Sequence, residues 1–249
     1  MTQSKPAAGL GKASVQVTQN LRTLHLSSES IQSSMWVFKP DALDLEYTRL
    51  MMGFLAFNAA PAQIAMIGLG GGSLPKFCYR HLPGSHIDVV EINEEVIALR
   101  NEFMIPQDNE RFRVLHGDGA DFVRDKTISP DILLVDGFGP DGVPDQLSSQ
   151  DFYDACYEML KTDGIMVVNL HLNNDNLSTY KRRIRQAFHG DVFEVIDEEM
   201  CNSIVFACKG DLFREAGDNV AQRPQNLDRD AWRQLMPAFK VVAASLSLL

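Results

Sequence analysis

Cysteine is scarce, basic residues are outnumbered and long apolar runs are missing, and each shortage removes a class of protein. Four cysteines, Cys78, Cys156, Cys201 and Cys208, form no CxxC pair and mostly sit in apolar stretches. They read as reduced core thiols, so neither a disulfide framework nor a metal site is expected. Lys and Arg number 23 against 33 Asp and Glu, a formal net charge of −10. That balance repels a nucleic-acid backbone and favours cations, small polyamines among them. No apolar run approaches the ~20 residues that cross a bilayer, so no membrane span is expected. Residues 1–11 lack the apolar centre of a signal peptide, which makes residues 1–13 an expected disordered leader in a cytoplasmic protein.

What is present is concentrated between Gln63 and Glu91. Ile64-Ala65-Met66-Ile67 is too short for a helix and suits a strand buried on both faces. Gly68-Leu69-Gly70-Gly71-Gly72 follows at once, a turn that lets backbone approach a ligand and opens a helix with free N–H groups. A second strand, residues 86–90, ends in Glu91, where a carboxylate can accept from both hydroxyls of a ribose.

In chain order, residues 14–37 alternate loosely and predict two strands in a hairpin, a small β appendage. Leu45, Leu50, Met51, Phe54, Leu55 and Phe57 recur at helical spacing, so residues 14–60 are read as appendage plus linking helix. From residue 61 to 249 strand and helix alternate, which predicts an α/β domain with a mostly parallel sheet. Helices are expected over 72–81, 94–103, 153–160 and 177–188. Strands are expected over 112–115, 132–135 and 165–170, with a terminal antiparallel pair over 192–196 and 203–208. Residues 228–249 carry Trp232, Leu235, Met236, Phe239, Val242 and Leu246 at helical spacing, an apolar helix able to serve an interface. The strand over 112–115 ends in His116-Gly117-Asp118-Gly119, and the strand over 132–135 ends in Asp136. Glu91, Asp118 and Asp136 therefore line one carboxyl edge of the sheet, the edge where open α/β sheets bind ligands.

These motifs resemble one family. Ile67-Gly68-Leu69-Gly70-Gly71-Gly72-Ser73, Val89-Val90-Glu91-Ile92-Asn93, Gly117-Asp118-Gly119 and Val135-Asp136 with its Gly/Pro-rich loop look like the polyamine aminopropyltransferases. This spermidine synthase family has the class I S-adenosylmethionine-dependent methyltransferase fold, a Rossmann-like seven-stranded sheet. The resemblance extends to Ile31-Gln32-Ser33-Ser34, Tyr47, Phe152-Tyr153 and Leu160-Lys161-Thr162-Asp163-Gly164-Ile165, roughly residues 20–208.

It implies a transferase moving an aminopropyl group from decarboxylated S-adenosylmethionine to an amine acceptor. Glu91 would hold the ribose, Asp118 with Gly119 the adenine end, Gly68, Gly70 and Gly72 the rest of the nucleoside, and Gln32 the sulfur side. Asp136 would be the general base, freeing the lone pair of the attacking amine. The family also implies a homodimer.

Departures from its pattern leave alternatives open. The family has an aspartate where Gly71 stands, Asp-Ser-Ser-Asp where Asp136-Gly137-Phe138-Gly139 stands, and Tyr-His-Glu where Tyr47-Thr48-Arg49 stands. Its Tyr-Pro-Ser-Gly stretch is not recognisable beyond Asp197. The missing groups would grip ammonium, and Glu46, Asp141 and Asp145 are candidate replacements, with Tyr47, Arg49 and Asp141 expected on the substrate side. Arg49 could instead pair with the carboxylate of intact S-adenosylmethionine, which would make the protein a methyltransferase. Loss of the amine pocket altogether would leave a non-catalytic nucleoside binder.

Overall fold

The computed structural model describes residues 11–26, 31–139, 142–199, 201–216 and 218–247. The leader expected over 1–13 lies outside the described residues up to residue 10. Beyond it, the Gly11 carbonyl accepts from Asn93 Nδ2 and the Ala13 N–H donates to Glu95.

The appendage is a three-stranded antiparallel sheet rather than a two-stranded hairpin. β1 (Ser14–Val17) pairs with β2 (Leu21–His25), and β2 pairs with β3 (Ser33–Trp36). The stretch before the break at residues 27–30 divides into β1 and β2 because the chain reverses after Val17, where the Thr18 N–H donates to the Leu21 carbonyl at 2.9 Å and the Leu21 N–H to Thr18 Oγ1 at 3.1 Å. α1 (Glu46–Met51) continues as a 3-10 turn, Met52–Ala56, and delivers the chain to the large sheet.

That sheet contains β4 (Gln63–Ile67), β5 (His86–Glu91), β6 (Phe112–His116), β7 (Ile132–Val135), β8 (Ile165–His171), β9 (Val192–Ile196) and β10 (Asn202–Cys208). Their spatial order is β6-β5-β4-β7-β8-β10-β9. The first five in that order are parallel, and β10 runs antiparallel to both β8 and β9. The expected α/β sheet of seven mostly parallel strands is the one observed. Both faces are buried, and alternate residues point to opposite cores. Ile64, Met66, Ile132 and Leu134 enter one apolar cluster; Ala65, Ile67, Leu133 and Val135 enter the other. This is why the strands read as unbroken apolar runs.

α2 (Ser73–His81), α3 (Glu94–Ala98), α4 (Gly119–Phe122), α5 (Gln150–Met159), α6 (Leu177–Ala187), α7 (Leu212–Glu215) and α8 (Arg229–Leu246) cover the faces. α3 is five residues long and stops well short of the predicted residue 103. Met104 takes a φ of 51° and the Ile105 N–H returns to the Arg100 carbonyl, closing the turn and driving Phe103 into the core. Cys78, Cys156 and Cys208 are buried and Cys201 is exposed. Among the described residues no helix is long and apolar enough to cross a membrane.

The strand order reverses direction between β4 and β7, which leave their carboxyl ends in opposite senses of winding. A crevice forms at such a point because the helices after the two strands lie on opposite faces.

Candidate active site

At this crevice lies a cavity of about 1130 Å3. Its floor is the turn after β4. Gly68 has a φ of +94°, its N–H bonds to the Val90 carbonyl, and a Cβ there would collide with the backbone carbonyl of Asp136. No other residue type suits that position, since positive φ and backbone contact coincide. Gly70, at φ +50°, also lines the cavity, and Gly72 caps α2 at φ +69°.

Glu91 ends β5 and is buried against the glycine turn. Its Oε2 accepts from the Leu69 N–H at 2.8 Å and its Oε1 from the Asn93 N–H at 2.9 Å. The carboxylate therefore clamps two turns together. Each oxygen keeps a second lone-pair direction for a ligand hydroxyl. Asp118 caps α4, with Oδ1 accepting from the Ala120 N–H at 2.8 Å. Gly117 and Gly119 flank it in the cavity wall, and Gln32 enters from the start of β3.

Asp136 follows β7 directly. Its Oδ2 accepts from the Tyr47 hydroxyl at 3.2 Å and its Oδ1 from Asn169 Nδ2 at 2.9 Å. Burial pushes its carboxyl up from the ordinary value, while the hydrogen bonds from Asn169 and Tyr47 oppose that rise. Burial, and then the neighbouring charge of Asp136, raises the Tyr47 phenol well above its usual range. Tyr47 is thus held as a neutral donor.

The wall beyond Asp136 contains side chains that sequence reasoning missed. Phe138 stacks on His171, ring centroids 4.2 Å apart at 15°. Burial lowers the imidazole of His171 below its ordinary value, and the nearby Asp197 carboxylate partly opposes that shift. Asp197 is buried and accepts from the Cys201 N–H at 2.8 Å, the Asn202 N–H at 3.0 Å and Asn202 Nδ2 at 2.7 Å, fixing the β9–β10 turn over the cavity. Glu46 Oε2 accepts from the Glu198 N–H at 3.1 Å, joining α1 to that turn. Asn169 could have been noticed, since it is the one polar residue among Ile165-Met166-Val167-Val168-Asn169-Leu170. Phe138, His171 and Asp197 carry no local signal.

The substrate-side residues divide. Tyr47 and Glu46 line the cavity. Arg49 lines it too, but its Nη1 donates at 2.7 Å to the carbonyls of both Leu43 and Asp44. Asp145 is not among the lining residues, and Asp141 lies outside the described residues. Gly71 has no room for a side chain: a Cβ would sit 2.7 Å from Ser33 Oγ and 2.9 Å from Phe103 Cδ1. Phe103 is held in turn by Lys76, whose Nζ donates to its carbonyl at 2.8 Å.

Known proteins are similar to this chain in sequence and in fold. The family model for the spermine/spermidine synthase domain matches residues 44–197. The polyamine aminopropyltransferase of Neisseria meningitidis is 34% identical over 226 residues, 90% of this chain and 86% of the relative. That of Chromobacterium violaceum is 40% identical over 177 residues, 71% of this chain and 68% of the relative. Among solved structures, a probable spermidine synthase from Corynebacterium glutamicum superposes with a TM-score of 0.72 at 17% identity, covering 90% of this chain and 83% of its own. Human methyltransferase-like protein 13 superposes with a TM-score of 0.61 at 21% identity, covering 82% and 93%. The two structures bear on fold alone, and they agree on the methyltransferase-like sheet. From the family match and the identity to two aminopropyltransferases, the chain belongs to the spermine/spermidine synthase family and is a transferase.

Proposed function

We propose that the protein transfers an aminopropyl group from decarboxylated S-adenosylmethionine to a small amine or polyamine, with Asp136 as general base. The observation that carries this reading is the charge of the cavity. Arg49 is the sole Lys or Arg among its described lining residues, against Asp44, Glu46, Glu91, Asp118, Asp136, Asp197, Glu198 and Glu199. Decarboxylated S-adenosylmethionine bears a sulfonium and an ammonium and no carboxylate, and the acceptor is also a cation, so every charge brought to the cavity meets opposite charge. Intact S-adenosylmethionine would add a carboxylate, and Arg49 has its Nη1 committed to two backbone carbonyls. The methyltransferase reading would rest on Nε and Nη2 of Arg49 alone, against eight acidic side chains in the same lining.

In this reading Glu91 binds the ribose hydroxyls, Asp118 the adenine amino group, and Gln32 flanks the sulfur. An acceptor ammonium gives one proton to Asp136 and gains a lone pair. The nitrogen attacks the propyl carbon next to sulfur as the carbon–sulfur bond breaks. Its electron pair stays on sulfur, and a neutral thioether nucleoside leaves. Asp136 suits proton acceptance because burial raises its proton affinity towards that of a useful base. Much of the remaining acceleration comes from holding nitrogen and carbon in line.

Two measurements test the reading. Calorimetry should give tighter binding of the decarboxylated nucleoside than of the intact one. Incubation with putrescine and the decarboxylated nucleoside should yield an aminopropylated amine, and Asp136→Asn should lower turnover at least ~100-fold, as expected for loss of a general base. Tighter binding of the intact nucleoside with methyl transfer, or no turnover with any amine, would sink it.

A further inference from the structure

Asn169 is an anomaly in the sheet. It lies on β8 between strands β7 and β10, is buried, and is surrounded along its strand by apolar residues. Nδ2 donates to Asp136 Oδ1 at 2.9 Å, yet Oδ1 of the same amide has no hydrogen-bond partner among the described residues. A buried acceptor without a partner is costly, and rotating the amide would not cure it. Rotation would turn Oδ1 towards a carboxylate oxygen and leave Nδ2 unpaired instead. The orientation is therefore dictated by Asp136, and the protein tolerates an unsatisfied atom to keep it.

We propose that Asn169 is a positioning residue for the transfer step, pinning the Asp136 carboxylate at the cavity wall as a proton acceptor. Two neutral donors grip Asp136 from opposite sides, Tyr47 from α1 and Asn169 from β8. The pair leaves the remaining lone pairs of the carboxylate to the acceptor nitrogen. An amide also fits both stages of the reaction. It donates to the carboxylate before proton transfer, and after transfer its orphan oxygen can receive the new O–H by rotation about the terminal torsion. A leucine fills the same volume and does neither. The other charged or imidazole side chains around the cavity, Asp44, Glu46, Arg49, Glu91, Asp118, His171, Asp197, Glu198 and Glu199, make no hydrogen bond to Asp136.

The inference rests on Asp136 being the base, and the test keeps the two apart. Asn169→Leu is compared with the full-length wild type in Tm, in the pH dependence of kcat/KM for putrescine with the decarboxylated nucleoside, and in a 13C titration of the Asp136 carboxyl. Removing a donor from a carboxylate favours its protonated form, so the acid limb of the rate profile and the 13C titration should both move up by about one pH unit. kcat should fall ~10-fold and the KM of the nucleoside stay within about twofold, since the donor acts at the reacting end. Tm should fall only slightly at neutral pH, because the donor lost from Asp136 is partly offset by removal of an orphan polar atom. Asn169→Thr, which keeps a donor on a β-branched side chain, should recover part of the shift. An Asn169→Leu protein whose 13C titration and acid limb do not move, whatever its Tm, assigns Asn169 to core packing and overturns the inference. The 13C titration needs no turnover, so it remains decisive even where Asp136→Asn shows the functional reading to be wrong.

Discussion

Ser33 Oγ occupies the space that a side chain on Gly71 would need, 2.7 Å from an ideal Cβ, and Phe103 closes the other side at 2.9 Å. The position where the family resemblance led us to expect a carboxylate is filled by packing from two distant segments. Gly71→Asp should therefore fail to restore an ammonium contact. It should cost ~1–3 kcal/mol as an overpacked core site and weaken nucleoside binding through the turn. Thermal melts and calorimetry check both effects, and tighter binding in the variant would refute the packing argument.

Tyr47→Phe removes the hydroxyl that donates to Asp136 Oδ2 at 3.2 Å. The charged carboxylate loses a donor, so its protonated form gains and the acid limb of the activity profile moves to higher pH. A fall of roughly tenfold in kcat/KM at pH 7 is expected from one hydrogen bond to a charged acceptor. Steady-state kinetics taken from roughly 2 units below neutrality to 1 unit above it would expose the shift.

Glu91→Gln replaces one acceptor oxygen by an NH2 that must face either the Leu69 N–H or the Asn93 N–H. A donor facing a donor in a buried clamp costs ~1–3 kcal/mol. Nucleoside affinity should drop at least ~10-fold by the loss of one charge-assisted contact. An unchanged Kd would remove Glu91 from the ribose site.

Lys76 is buried, and desolvation lowers its ammonium to about 7 from 10.5, with Asp41 opposing. The folded state thus releases a proton that the unfolded chain keeps until about pH 10.5. Between about pH 7 and about 10.5 the unfolded state binds more protons, so this residue makes stability rise with pH across that window. Lys76→Met should abolish the rise. Urea denaturation at pH 7, 8 and 9, spanning roughly the titration of a buried amine, measures the slope.

Asp228 caps α8, accepting from the N–H groups of Asp230 and Ala231 at 2.8 Å, and contacts His81 Nδ1 at 2.5 Å. Burial pushes its carboxyl up, but the Ala231 N–H and the His81 imidazole outweigh this and hold it below its ordinary value. A depressed carboxyl stabilises the fold above its unfolded value, near ~3.9, and that share is lost as pH falls through the lower folded value. Asp228→Ala should cost ~1–2 kcal/mol at pH 7 as a lost N-cap. The same substitution should cost less at pH 3, which chemical denaturation at the two pH values will show.

Much of the fold was legible because its signals are local. The apolar runs of β4, β5, β7 and β8 mark strands buried on two faces, and Gly68 with Glu91 marks the turn at the cavity floor, where we propose that the nucleoside binds. The boundaries that misled are those set by distant contacts. Residues 94–103 have helical composition, yet the helix ends at Ala98 and the chain reverses at Met104 to bury Phe103 beside Gly71. The appendage gained a third strand because the chain turns back after Val17 and pairs β1 with β2, a reversal held by Thr18 and Leu21.

The sequence by itself determined the parallel sheet, the glycine turn and the acids at three strand ends, since each follows from residue types within a few positions of one another. Tertiary structure alone decided what surrounds those acids. Asp136 meets Tyr47 from 89 positions away and Asn169 from 33, Phe138 stacks on His171, and Arg49 turns to its own backbone. The physical reason is the winding of the sheet: β7 and β8 become neighbours through an intervening helix, so the partners of a strand-end carboxylate are chosen by strand order in space, which no local pattern encodes.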